Sequence, residues 1–179
     1  MQPGLKTRLD YDDFAAIPAD GRRWELLDGE PHVTPAPSPV HQQVVVGLLV
    51  ALLQHFPRPA RVYVSPIDVI LTPHDVLQPD VVVVADPAQV SARGIEGPPR
   101  LVVEVLSPAT AAYDRTTKAR RYAALGVRHL WLVDPEARRI ECHRFEGPDS
   151  RLVIAAGPDD TLTHPDFPGL AIPVAPLWE

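Results

Sequence analysis

Two runs of branched aliphatic residues, Val81–Val84 in QPDVVVVADP and residues 101–106 in RLVVEVLSP, constrain this chain more than any other feature. Each is too short for a core helix, is bounded by proline or polar residues, and is rich in valine, which packs well on a pleated surface. Both read as strands. Because the runs are nearly continuous rather than alternating, both faces must be covered, as in the middle of a sheet flanked by other layers. Glu104 stands inside the second run and Asp80 directly before the first, after Pro79. A carboxylate enclosed there costs several kcal/mol if it is left ionised and unpaired. The rest of the chain has to supply its partner.

Around these strands the sequence punctuates itself clearly. LDYDDFAAIP predicts a short helix that starts at Asp10 or Asp12 and is stopped by Pro18. In RRWELLDGEPHV the Asp28-Gly29 pair favours a two-residue turn, giving an N-terminal hairpin of residues 24–27 and 30–33. SPVHQQVVVGLLVALLQHF opens with Ser38 as N-cap and Pro39 at the first helical position. Val44, Val45, Leu48, Leu49, Leu52 and Leu53 follow at helical spacing, and Pro57 and Pro59 end the helix. RVYVSPIDVIL predicts one or two strands, residues 113–125 a helix capped by Gly126, and RHLWLVD with IECHRFEG a hairpin turning at 135–138. RLVIAAG and LAIPVAPLW add short strands or edges. Trp24 and Trp131 read as core anchors. The sum is an α/β fold: a mixed β-sheet flanked by helices, in one domain over residues 1–179.

Composition narrows the function classes. With 45% hydrophobic and 22% charged residues the chain can bury an ordinary core. No apolar stretch nears the ~20 residues that span a bilayer, and MQPGLKTRLDYDD lacks the apolar core of a secretion signal, which predicts a cytoplasmic protein without a membrane partner. The lone Cys142 excludes an internal disulfide framework and a cysteine-rich zinc site. A net charge of −6 argues against a protein that coats nucleic acid non-specifically. It leaves room for a nuclease, whose acidic metal site is itself negative.

The chemistry concentrates on a few residues. Asp80 and Glu104 are 24 residues apart, a separation that suits neighbouring strands, and strands lie only ~4.8 Å apart. Two carboxylates so placed repel one another, and a hard divalent cation, Mg²⁺ or Mn²⁺, reverses the sign. Lys118 shares a helical stripe with Asp114, Tyr122 and Leu125 and points towards the same inward surface, with the Tyr122 hydroxyl at the site's edge. Glu25, between Trp24 and Leu26, is a third acid within reach of the cluster. The competing explanation of Glu104 is a buried ion pair with Lys118 or an arginine, with no metal. Ser107 lacks the glycines of a nucleophile elbow. His32, His55, His74, His129, His143 and His164 show no metal-ligand spacing with one another.

PDVVVVAD, LVVEVLSPAT, DRTTKARRY and GVRHLWLVDP, in that order and preceded by WELLDGE and SPVHQQVV, resemble the Uma-two family of restriction-endonuclease-like proteins, in the PD-(D/E)XK nuclease superfamily, over about residues 10–175. The resemblance implies a restriction-endonuclease-like core with Asp80 and Glu104 as metal ligands and Glu25 as an auxiliary acid. The superfamily places a lysine two residues after the glutamate. Leu106 occupies that position here, and Lys118 takes the role from the next helix. The implied function is a Mg²⁺-dependent (or Mn²⁺-dependent) DNA endonuclease. In it the Val105 carbonyl joins Asp80 and Glu104 on the ion, and Arg115, Arg120, Arg121 and His41 are candidate phosphate contacts. Cutting both strands of a duplex implies, by analogy, a homodimer. Two alternatives stand beside it: a nuclease fold that serves as a non-cleaving interaction or regulatory module, and a metal-dependent hydrolase of small phosphate esters.

Overall fold

Order in the chain is set by the same punctuation. The computed structural model describes residues 8–18 and 20–179, so residues 1–7 of the N-terminal segment read above lie outside it. Helix α1 (Tyr11–Ala15) leads into strands β1 (Arg23–Leu27) and β2 (Glu30–Thr34), then helix α2 (Pro39–His55). Strands β3 (Arg61–Val64), β4 (Val69–Thr72), β5 (Asp75–Leu77), β6 (Val81–Val84), β7 (Ile95–Glu96) and β8 (Leu101–Val105) follow. Next comes a helical segment, α3 (Ala111–Tyr113), a π-helical turn (Asp114–Lys118) and α4 (Ala119–Ala124). Strands β9 (His129–Asp134), β10 (Arg139–Glu146), β11 (Asp149–Ala156), β12 (Thr161–His164) and β13 (Phe167–Pro173) complete the order. Among the described residues no helix is long and apolar enough to cross a membrane.

Strands β11-β10-β9-β8-β6-β3 form a six-stranded mixed sheet, parallel only between β8 and β9, and β2-β1-β5-β4-β7 form a five-stranded one. The valine runs lie in the first sheet, with both faces covered as their composition requires. Val81, Val83, Leu101, Val103 and Val105 pack with Val44, Val45, Leu48 and Leu52 of α2. On the other face Val102 packs with Tyr122 and Ala123 of α4 and with Leu130 and Leu132. Period-two alternation therefore puts Glu104, two residues from Val102, on the face that α4 covers. The antiparallel register of Val81 with Val103 and Val82 with Val102, continued by one step, sets Asp80 opposite Glu104.

Local chemistry explains the frame. Ser38 accepts a hydrogen bond from the His41 N–H and Pro39 starts α2. Asp28 (φ 50°) and Gly29 (φ 81°) are both left-handed, which the two-residue turn between β1 and β2 demands. Gly126 (φ 87°) ends α4, where the Val127 N–H reaches the Tyr122 carbonyl. RVYVSPIDVIL forms two strands, β3 and β4, that join different sheets, and Asp75–Leu77 adds the short β5. Two departures from the sequence reading have physical causes. The C-terminal Ala175–Trp178 is a 3₁₀ turn rather than an edge strand, because Pro176 opens it. Finally, the helix carrying Lys118 is π-helical through Asp114–Lys118, a local widening that residue spacing alone does not reveal.

Candidate active site

Asp80, Glu104, Asp114, Lys118, His41 and Arg23 line one small cleft of about 50 Å³, room for an ion and a few waters. They arrive from several parts of the fold, Asp114 and Lys118 together from the π turn. Asp80 precedes β6, and its Oδ2 accepts the Val105 N–H at 2.8 Å, a bond that fixes the carboxylate against the neighbouring strand. His41, in the first turn of α2, places Nε2 3.2 Å from the same oxygen. Glu104 Oε1 accepts from Lys118 Nζ at 3.0 Å and from the Tyr122 hydroxyl at 2.7 Å.

Lys118 is 3% exposed and is the hub. Its Nζ lies 2.9 Å from Glu25, 3.0 Å from Glu104 and 3.7 Å from Asp114. Burial alone would lower its pKa, but attraction to Glu104, Glu25 and Asp114 overrides burial and holds the ammonium protonated well above its ordinary range. Glu104 shows the opposite balance. Burial pushes its carboxyl up to about 8, Lys118 opposes, and Asp114, Asp80 and Glu25 add to the rise. Asp114 is likewise raised, by burial first. Three carboxyl groups, Glu25, Glu104 and Asp114, thus surround one buried ammonium, and Asp80 faces Glu104 from the next strand. The donor set is all oxygen, acidic in excess and shared between adjacent strands, which fits a hard divalent cation.

The placement of the expected residues differs in detail. Asp80, Glu104 and Lys118 meet. Glu25, expected at the rim, is instead fully enclosed behind Lys118, where Oε1 accepts from the Gln78 N–H at 2.8 Å and Oε2 is buried without a partner. His41 is buried against Asp80 rather than held out towards a ligand. None of Arg115, Arg120 and Arg121 lines the cleft. Arg115 pairs with Asp134 and Glu141, and Arg121 with Asp75 and Asp28, so both are held by acids outside the cluster. Two cleft residues carried no sequence signal of their own. Asp114 was visible only as a member of Lys118's stripe, and Arg23 precedes the hairpin residues read from the sequence.

A family model described as "Putative restriction endonuclease" (Uma2) matches residues 11–175. The chain belongs to the Uma2 family. Among solved structures it is similar to a protein from Anabaena variabilis, described as "a putative nuclease belonging to DUF820", with a TM-score of 0.75. Identity is 19%, and the match covers 95% of this chain and 97% of that one, so the likeness speaks to the fold. A search of curated proteins gives no significant match. The Uma2 membership and this likeness bear out the restriction-endonuclease-like α/β architecture read from the strand runs and motifs.

Proposed function

We propose that this Uma2 protein is a metal-dependent endonuclease that hydrolyses phosphodiester bonds in DNA. The observation that carries the reading is the convergence of Asp80 and Glu104, on adjacent strands, with a Lys118 kept protonated inside an acidic cleft. Asp80 and Glu104 would hold Mg²⁺ or Mn²⁺ together with the Val105 carbonyl. When bound, the ion supplies polarisation of the scissile phosphate and a water made more acidic.

The chain's own groups have distinct tasks. The Val105 N–H and His41 keep the Asp80 carboxylate from turning. Lys118 remains an ammonium, so it serves as an electrostatic stabiliser of the charge that accumulates on the phosphate, not as a base. Glu25 acts as a positioning residue by anchoring Nζ from behind. Arg23 lines the same cleft, with its Nη2 donating to the Gln78 carbonyl at 3.4 Å, and replaces the helix arginines as the candidate phosphate contact. Pro35, Ala36, His41 and Ser107 also border a broader groove of about 480 Å³, which gives the sugar and base next to the phosphate somewhere to lie. A second copy of the chain would serve the second strand of a duplex.

The test is nicking of supercoiled plasmid in Mg²⁺ and in Mn²⁺, with metal binding followed in parallel. Activity that requires metal and disappears in Asp80→Asn, Glu104→Gln and Lys118→Met supports the reading. Metal binding with no cleavage at high protein concentration leaves the non-cleaving module in its place. That module draws on the net charge of −6 and on the arginines already neutralised by acids. Cleavage of small phosphodiesters in preference to DNA would favour the third reading.

A further inference from the structure

The histidines that showed no ligand spacing along the sequence are brought together by the fold. His129, at the start of β9, and His164, at the end of β12, stand with Asp166 so that one ligand atom from each lies within 4.8 Å of the others. Both histidines are 4% exposed, and their rings meet edge-on at 5.5 Å. His129 Nδ1 is buried without a hydrogen-bond partner and lies 4.0 Å from Asp166 Oδ2, too far for a hydrogen bond. His164 turns the lone pair of Nδ1 to the Asp166 N–H at 3.1 Å, and its Nε2 is buried without a partner. An unpaired buried imidazole nitrogen is costly, and His129 Nδ1 is one, beside a carboxylate; neutral His164, with Nδ1 accepting, carries its ring hydrogen on Nε2, so it meets an ion by giving up the Asp166 N–H or by exchanging tautomer.

We propose that His129 Nδ1, a ring nitrogen of His164 and the Asp166 carboxylate form a second metal site, for a borderline transition-metal ion such as Zn²⁺. Two imidazoles and one carboxylate suit that class and not Mg²⁺, which prefers oxygen throughout. The site is separate from the acidic cleft, since none of its three residues lines that cleft. Entry is open on the Asp166 side, where the side chain is 27% exposed. Asp166 is now held by Arg144 Nη1 at 3.2 Å, and Arg144 also reaches Glu146 at 2.9 Å through Nη2. The arginine therefore keeps a carboxylate partner when Asp166 turns to the ion. The consequence is structural: an ion there staples the β12-β13 hairpin to β9 of the main sheet.

The test uses the full chain carrying Asp80→Asn and Glu104→Gln, so that the acidic cleft contributes no metal binding. Zn²⁺ titrated calorimetrically should bind with one equivalent and raise the melting temperature by several degrees, while Mg²⁺ at the same concentration does neither. Co²⁺ should give the intense visible bands of a nitrogen-ligated ion of low coordination number. Adding Asp166→Asn, at a partly exposed position, should weaken Zn²⁺ binding at least tenfold with the metal-free melting curve unchanged. His164→Gln should weaken Zn²⁺ binding likewise, at some cost to the metal-free fold because the side chain is buried, and Asp166→Asn decides the matter if that variant does not fold. Absence of Zn²⁺ binding at 0.1 mM, or binding that Asp166→Asn leaves intact, overturns the proposal. The outcome is independent of whether the chain cleaves DNA.

Discussion

Lys118 Nζ lies 3.0 Å from Glu104 Oε1, in an interior where neither side chain is more than 5% exposed. Taken alone that contact is a buried ion pair, and it would answer why a glutamate interrupts a strand of valines. It does not stand alone, because Glu25 and Asp114 hold the same ammonium. Lys118 is supplied with acid twice over without Glu104. The glutamate is in excess of what the ammonium needs, which supports the proposed role for it on a divalent cation.

Glu104→Gln separates the two explanations. Were Glu104 the sole counterion of Lys118, its removal would cost about 3–5 kcal/mol, as breaking buried pairs does. With Glu25 and Asp114 retained, the metal-free variant is expected to match or slightly exceed the wild type in urea denaturation, and plasmid nicking should vanish. A loss above about 3 kcal/mol would make Glu104 a piece of core electrostatics.

Lys118→Met should do the reverse. It leaves Glu25, Glu104 and Asp114 enclosed with no permanent cation, and a destabilisation of about 3–5 kcal/mol is expected at pH 8. The loss should shrink at pH 5, where Glu104 and Asp114, both raised by burial, take up protons instead. Denaturation curves at both pH values check this, and an equal loss at both would mean that charge is not what Lys118 supplies.

The raised Glu104 carboxyl carries its own pH signature. Its folded-state value, about 8, lies above the ordinary 4.5, so between those values the folded chain keeps a proton that the unfolded chain has lost. The stability this proton confers is complete below about pH 4.5 and is lost as pH rises towards 8. Wild-type stability should therefore fall relative to Glu104→Gln across that window, measured without metal. Mg²⁺ affinity should rise over the same window, since the ion displaces the proton. A difference that is flat with pH would show that Lys118 keeps Glu104 ionised throughout.

Most of the frame was legible because it rests on local chemistry. The Asp28-Gly29 turn, the Ser38-Pro39 helix start and the two valine runs each name their conformation within a few residues. Asp80 and Glu104 were legible for a different reason, since an acid at the edge or middle of an apolar run stands out against its own neighbours. What stayed hidden depends on pairing between distant segments. Glu25 looked like a rim residue because nothing local shows that the Gln78 N–H and Lys118 close over it. Arg115 and Arg121 are taken by Asp134, Glu141, Asp75 and Asp28, acids on distant strands and turns that nothing local to the helix reveals. His129 and His164 are 35 positions apart and meet only once β12 packs against β9.

Arg121 offers the clearest check on those misplaced arginines. Its guanidinium makes two hydrogen bonds to Asp75, a fully buried carboxylate that also accepts from the Thr72 hydroxyl and the Asp28 N–H. Burial would raise the Asp75 carboxyl, and hydrogen bonds from Arg121, Thr72 and Asp28 more than offset it, so the group is lowered below its ordinary value. A lowered acid contributes stability at neutral pH that disappears as pH falls through its folded value. Arg121→Ala removes the strongest of those partners and leaves a buried carboxylate with two neutral donors. The expected loss is about 3 kcal/mol at pH 7, at the low end for a broken buried pair because Thr72 and Asp28 remain. It should diminish below pH 4. Metal affinity and the salt dependence of DNA binding should not change, because Arg121 neither lines the cleft nor has a guanidinium free for phosphate. A shallower salt dependence with unchanged stability would restore Arg121 as a nucleic-acid contact and displace the structural role argued for it.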